Sequence, residues 1–448
     1  MTRAFLLRTL SVAAIAAFQA QAASAQSIIN GGGATSPQGD YAGPNKSDGT
    51  PQSEFSTYNQ AQSAVQFGTY WGSGSYGQTA FLTDDLTCDI NKVTGGNGGV
   101  CDPAPGGANT VHYNASDSVL SSAQIASWAT NAYDQPLSGN LIQIPMLGTA
   151  QAILVNDTNI TKNGQLVFSD ADLCGVFSGK ITDFSQLSSS VPAAGPITLV
   201  YRNDTAAATS ILTNHLSAVC NSSNSNITFT ATTSFASLFP GGNVNGTIPL
   251  AIGQKGSAGV ANYMAGLTSA GAVPQAIGYV SPDWTSLAPD SASLLSNGLP
   301  SPLLVGAVSV GKKSYTPTTK NIAVGLTHVL QGQTLTPPAN ASQGANPANW
   351  VPVIETVTSG YPIIAYGTFE LAQCYSDPLI TKAWLAYLKL HYTNATYEAI
   401  QSNNGLVKIA NSGASKFLAA VQKNILANNN KWDTDIGDKT NCAKVKGR

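Results

Sequence analysis

Charge is sparse in this sequence. Only 10% of its 448 residues are Asp, Glu, Lys or Arg, and they nearly cancel to a formal net charge of −2. No basic stripe stands out, so the electrostatic footprint of a nucleic-acid-binding protein is missing. A charged disordered polymer is excluded too, because 43% of the chain is hydrophobic and can bury a large core. Histidine is scarcer still: His112, His215, His328 and His391 are scattered, with no H-x-x-x-H pair. The six cysteines contain no C-x-x-C, which argues against the common structural zinc sites. After the first residues there is no uninterrupted apolar run of the ~20 residues a spanning helix needs, so no membrane insertion is expected. The polar surface must come from Asn, Ser, Thr and Gly.

The N-terminus has the build of an export signal. Arg3 and Arg8 precede a short apolar stretch, Leu10 to Phe18, and Ala23-Ser24-Ala25 forms an A-x-A cleavage site. Residues 1–25 are therefore expected to be removed, leaving a periplasmic or secreted chain that begins at Gln26. Export favours disulfides among Cys88, Cys101, Cys174, Cys220, Cys374 and Cys442. Six cysteines allow fifteen pairings, and spacing does not choose among them.

Strand-like and helix-like segments alternate, which points to an α/β protein. Ser27-Ile28-Ile29 reads as a short strand, ended by Gly31-Gly32-Gly33. Val65–Trp71, Thr110–Tyr113, Ile197–Tyr201, Ile277–Val280 and Tyr361–Tyr366 read as further strands. The apolar run Leu141–Val155 reads as a buried strand pair. Ser121–Thr130, Ala206–Val219, Ser257–Leu267, Ile380–Leu388 and Ala414–Leu426 read as helices, and Ser169 opens another. Residues 84–109 look like a stapled excursion. The loop-rich stretch of about 285–350 is expected to embellish a second domain.

Four turns between strands and helices carry the chemistry: 31–37, 72–77, 115–118 and 202–209. Each is rich in small or hydroxyl residues. Ligands of open α/β sheets bind beyond the carboxyl ends of the strands, and helix N-termini present free N–H groups to anions. Arg202 can fork two donors onto an oxyanion. Asp117 can only accept, which serves an anion that carries a proton and repels one, such as sulfate, that does not.

Ile29-Asn30-Gly31-Gly32-Gly33-Ala34-Thr35 resembles the opening of the DING proteins, a group within the periplasmic phosphate-binding proteins of ABC-type phosphate uptake. Segments 112–118, 173–179, 200–202, 279–283 and 359–363 resemble family segments in family order. The resemblance implies a type II periplasmic-binding-protein fold, with two lobes joined by two crossover strands near Ile142–Pro145 and Tyr361–Ile364. The first lobe would be 26–143 plus 361–448, and the second 144–360. It implies pairs Cys174–Cys220 and Cys374–Cys442, leaving Cys88–Cys101. It implies a monomeric binding protein, not an enzyme, with no metal or cofactor, that delivers inorganic phosphate to an ABC permease or scavenges it outside the cell. Residue by residue, Thr35 matches the hydroxyl donor of the first loop, Ser36 the next backbone N–H, Ser75 the serine of the second loop, Asp117 the proton acceptor and Arg202 the anion-binding arginine.

One element departs. Where the family has a Ser-Gly-Thr run, this chain has Ala206-Ala207-Ala208 followed by Thr209. The N–H donors survive and two hydroxyls do not. At ~0.5–1.5 kcal/mol per bond, that loss corresponds to about ten- to a hundredfold in affinity. Thr205 and Thr209 are the neighbouring hydroxyls that a local shift could bring in. Two other readings fit parts of the pattern: a secreted phosphatase using Asp117-Ser118 beside Arg202, and a surface or matrix protein that has lost the ligand. On the export reading, N-terminal sequencing of the secreted protein should begin within a residue or two of Gln26. An intact Met1 on exported material refutes it.

Overall fold

The computed structural model describes residues 26–43, 52–62, 64–95, 110–130, 135–157, 166–188, 195–266, 275–288, 303–427, 429 and 432–448. The expected leader, and Cys101 of the expected Cys88–Cys101 link, lie outside the described residues. The strands are β1 (Ser27–Gly33), β2 (Val65–Trp71), β3 (Tyr113–Ser116), β4 (Leu141–Ala150), β5 (Ala152–Asp157), β6 (Val167–Phe168), β7 (Thr198–Arg202), β8 (Ala251–Gln254), β9 (Gln275–Val280), β10 (Leu304–Val305), β11 (Ala307–Val310), β12 (Lys313–Tyr315), β13 (Ile364–Ala372) and β14 (Val407–Lys408).

The same strand order occurs twice. One sheet runs β2-β1-β3-β13-β4-β14 and the other β8-β7-β9-β5-β10. β1 is parallel to both β2 and β3, and β7 to both β8 and β9. In each sheet the next strand, β13 or β5, enters antiparallel. Each of these two strands follows a passage from the other half of the chain. This is the two-lobed, double-crossover α/β arrangement of type II binding proteins.

The first passage lies later than expected. β4 pairs with β13 from Leu141↔Ala372 to Ala150↔Ile364, so all of it belongs to the first sheet. The chain changes sheet at Gln151, not near Ile142–Pro145. There the two passages are bonded to each other: Gln151 N–H donates to the Ile363 carbonyl at 2.9 Å, and the Tyr361 hydroxyl donates to the Gln151 carbonyl at 2.6 Å. The loop-rich stretch also differs from expectation. Its helix Thr319–Thr327 lays Leu326 where a Cβ on Gly148 of β4 would stand, and Gln143 Nε2 donates to the Pro347 carbonyl at 3.2 Å. From Thr319 onward it braces the first lobe.

The triple glycine does not end β1; it lets the strand continue. A Cβ on Gly31 would lie 2.3 Å from the Tyr113 carbonyl oxygen, and one on Gly32 would lie 2.1 Å from that of Trp71. Only glycine permits this approach to both neighbours. β3 starts at Tyr113 and β13 at Ile364, each later than their apolar cores suggest. Both continue through polar residues that satisfy one another inside the sheet: Asn114 Nδ2 donates to Glu370 Oε2 at 2.5 Å, and the Thr368 hydroxyl to Glu370 Oε1 at 2.9 Å.

Against the first sheet pack helices Glu54–Ala61 and Pro378–Thr393, with Phe55 and Phe67 stacked at 4.0 Å and Trp384 buried beside them. Cys174–Cys220 and Cys374–Cys442 are disulfides, with Cα atoms 5.5 and 5.3 Å apart. Gly32→Ala should lower unfolding free energy by about 3 kcal/mol, since backbone rather than a movable side chain fills the space. Gly259→Ala, in a helix with nothing nearer than 3.6 Å, should leave it unchanged or raise it by up to ~1 kcal/mol. Denaturant melts of both variants check the pair.

Candidate functional site

Three turns of the first lobe and one of the second converge. β1 delivers Ala34, whose N–H donates to the Ala115 carbonyl at 2.8 Å, and then Thr35 and Ser36. Gly74 N–H donates to the Gly33 carbonyl at 2.8 Å, which sets Ser75 at the start of helix Tyr76–Thr83. Asp117 follows the last residue of β3. From the second lobe, Arg202 is the last residue of β7, and helix Ala207–Val219 begins five residues later.

That helix has no side-chain cap. Ala206 is extended (φ −143°, ψ 133°), and its own N–H donates to the Thr233 carbonyl at 2.8 Å. The N–H groups of Ala207 and Ala208, in the first turn, have no intrahelical acceptor. Thr209 is fully buried, and its hydroxyl is bonded to the Tyr279 hydroxyl at 2.7 Å. The lobes touch where the Ser75 hydroxyl donates to the Thr205 carbonyl at 3.3 Å. Beside this contact opens a cleft of about 600 Å³, lined by Ser75, Asp117 and Ser118 from one lobe and Ser210, Asn214 and Thr232 from the other. Thr35 lies apart from that cleft. It lines a smaller cavity of about 320 Å³ with Ser257, Asp283 and Trp284.

The two charged residues behave differently. Asp117 is 2% exposed, and neither of its carboxylate oxygens has a well-formed hydrogen bond. Burial pushes its pKa up; the Ser36 hydroxyl, close by but outside good hydrogen-bond geometry, and the Arg202 charge pull it back, and it settles at about 6. Arg202 is 1% exposed and held on every side. Its Nε and Nη2 fork onto Asp204 at 2.7 and 2.5 Å, its Nη1 reaches the Ser257 hydroxyl at 3.4 Å, and its backbone N–H reaches the Tyr279 hydroxyl at 3.3 Å. Burial alone would raise Asp204, but the hydrogen bonds and charge of Arg202 hold it below the usual carboxylate range.

The sequence reading missed Asp204, Ser257, Tyr279 and Asp283. Arg-x-Asp spacing at the end of a strand was the available signal for Asp204, since both side chains then stand on one face. Asp283 sat inside a segment quoted for its resemblance, without a role. It is 1% exposed, one of its oxygens has no partner, and its pKa is pushed up to about 8, first by burial and then by the Asp117 charge, against the pull of the Ser281 hydroxyl.

Comparison with known proteins gives consistent relatives. Residues 72–332 match the model of the PBP superfamily domain. The chain is 30% identical to alkaline phosphatase L of Pseudomonas aeruginosa over 448 residues, covering 100% of this chain and 99% of that one. It is also 30% identical to a phosphate-binding protein from an unknown prokaryotic organism, over 94% of this chain and 99% of the other. Among solved structures it resembles a DING protein (TM-score 0.72) and a high-affinity periplasmic phosphate-binding protein bound with phosphate (TM-score 0.71). Each of the two is 28% identical, with 94% of this chain and 99% of the other covered.

Asp89 and Glu370 are, like Asp117 and Asp283, buried acids raised mainly by burial, each to about 7. Their unfolded values are near the ordinary ~4. Between pH 4 and 8 the ligand-free folded protein therefore binds more protons than the unfolded chain, and its stability falls as pH rises. Thermal melts should show a higher melting temperature at pH 5 than at pH 8. The difference should shrink in Asp283→Asn, which removes the group with the highest of these values.

Proposed function

The chain belongs to the PBP superfamily and, within it, to the DING-type phosphate-binding proteins, and on that premise we propose that it binds inorganic phosphate between its lobes as an exported solute-binding protein. One observation carries the reading: Asp117, buried with both oxygens unpartnered, beside the Arg202 charge and the uncapped helix at Ala207. A buried acceptor without a donor is costly, and a ligand with its own proton supplies the donor. Phosphate carries that proton at neutral pH and sulfate does not. Ser36, Ser75 and the N–H groups of Ala207 and Ala208 are the neutral donors of this scheme, with Thr35 reaching in from the adjoining cavity. Delivery to an ABC permease, or scavenging outside the cell, follows from the export signal and the family.

Hydrolysis is the competing reading, since relatives bear the name alkaline phosphatase L. The serine it would use, Ser118, has its hydroxyl within 3.1 Å of the Ser116 hydroxyl, in a turn where Ser116 also bonds to the Ser118 backbone. Binding without covalent chemistry accounts for Asp117 and Arg202 directly.

Calorimetric titration with phosphate, sulfate as control, tests the proposal. Arg202→Ala should weaken phosphate binding by about 2–5 kcal/mol, and should lower stability as well because Asp204 loses its partner. Asp117→Asn should keep the fold and relax the rejection of sulfate. Ala206→Ser with Ala208→Thr should raise phosphate affinity at least about tenfold by restoring two hydroxyl donors to a charged acceptor. Absence of phosphate binding by the wild type, or steady release of phosphate from p-nitrophenyl phosphate, overturns the reading.

A further inference from the structure

The site contains an acid that this reading leaves unused. Asp283 stands in the short helical turn Pro282–Trp284 beyond β9, in the second lobe. It is 1% exposed, its Oδ1 has no hydrogen-bond partner, and it lines the 320 Å³ cavity together with Thr35 of the first lobe and Ser257 of its own. Asp117, from the opposite lobe, is the charge that acts on it. The groups packed around it are otherwise neutral. Helix Gly256–Met264 presents Ser257, whose hydroxyl also accepts from Ser281 N–H at 3.4 Å and from Arg202. Gly405 lies against its backbone, where a Cβ would stand 3.6 Å from the Asp283 N. Helix Gln38–Ala42 brings Gln38 and Gly39 to the cavity, while its Asp40 interacts with Glu54. Arg202 reaches the same Ser257 hydroxyl, and Asp204 already occupies its fork.

This gives two buried carboxylates, Asp117 and Asp283, and the half-buried Asp204 around one cation. A phosphate dianion set between ionised Asp117 and ionised Asp283 would add like charge on both sides in a water-poor space. One further proton removes the conflict. It sits either on Asp283, which then donates to a phosphate oxygen, or on the phosphate, which then donates to Asp283 Oδ1. The proton count is the same in both cases.

We propose that Asp283 is a second proton-sharing carboxylate of the anion site, so that the protein takes up inorganic phosphate together with a proton from solution. The inference rests on the phosphate reading above and adds a specificity residue to it. Phosphate binding then weakens on the alkaline side, where the free protein has lost this proton, and closure of the lobes over the ligand brings together two acids that repel each other when both are ionised.

Phosphate titrations of the full mature chain at pH 9, in two buffers of different ionisation heat, count the protons taken up. The wild type should take up about one proton per phosphate and Asp283→Asn close to none, while Asp283→Glu, which keeps an acid, should retain the uptake. From pH 7 to pH 9, wild-type affinity should fall about tenfold more than that of Asp283→Asn. Binding at pH 9 without proton uptake overturns the inference and leaves the phosphate reading intact. The same holds for equal uptake in a folded Asp283→Asn. If Asp283→Asn does not fold, absence of uptake in the wild type, or its loss in a folded Asp283→Glu, still decides against it. No phosphate heat at pH 7 removes the phosphate reading and this inference together.

Discussion

The fork between Arg202 and Asp204 is the interaction on which the cleft depends. A guanidinium this buried is tolerated only when its donors are met, and here the partners are Asp204 of its own turn and the Ser257 hydroxyl, while the Tyr279 hydroxyl holds the Arg202 backbone N–H. The same contacts fix the end of β7 against helix Gly256–Met264. They also reduce what the Arg202 charge can offer an anion, because a carboxylate already shares it. Anion recognition at this site then draws on neutral donors as much as on charge: hydroxyls, helix N–H groups and shared protons. This accords with a chain that has so few charges to place.

The scaffold that brings these groups together is one strand pattern used twice. In each sheet one strand, β1 or β7, has parallel neighbours on both sides, and its carboxyl end delivers a turn to the cleft. In the first lobe the geometry is pinched by Gly31 and Gly32, which let the carbonyls of Tyr113 and Trp71 approach to a distance that no side chain allows. The approach draws three turns together: Gly74 is bonded to Gly33, and Ala34 to Ala115. In the second lobe the corresponding strand ends in Arg202. The two passages between lobes lie side by side at Gln151 and Ile363, bonded to each other where the chain leaves one sheet for the other.

Much of this was legible in the sequence, and the failures have physical causes. Periodicity located Val65–Trp71 and the helix after Ala206, because each buries one face against a continuous core. The glycine run was read as a strand end, since propensity counts the weakness of glycine in strands and not the close packing that requires it. The passage between lobes was misplaced within Leu141–Val155 because an apolar run buried throughout has no polar punctuation at the point where it changes sheets. The segment beyond Thr319 was assigned to the second lobe by its place in the chain, whereas Leu326 and Pro347 pack across to the first. Asp117 and Arg202 could be singled out because an acid and a base at strand ends have a recognisable use. Asp283 could not, because nothing local marks an acid as buried and facing another acid 166 positions away in the chain.

The alanines at 206–208 bear on this balance. In the first turn of a helix a backbone N–H points outward whatever the side chain, so replacing hydroxyl residues removes part of the donor set and leaves the remainder aimed as before. Thr209 does not restore the lost hydroxyls, since its own hydroxyl is committed to Tyr279, which also receives the Arg202 backbone N–H. A cleft with fewer hydroxyl donors and two acids that hold unpartnered oxygens is short of donors and rich in acceptors. The simplest remedy within this structure is protons carried on the ligand or on the acids. Loss of hydroxyls on one side of the cleft and retention of a second acid on the other thus become parts of one constraint. On the proposed reading, the site accepts an anion to the extent that a proton comes with it.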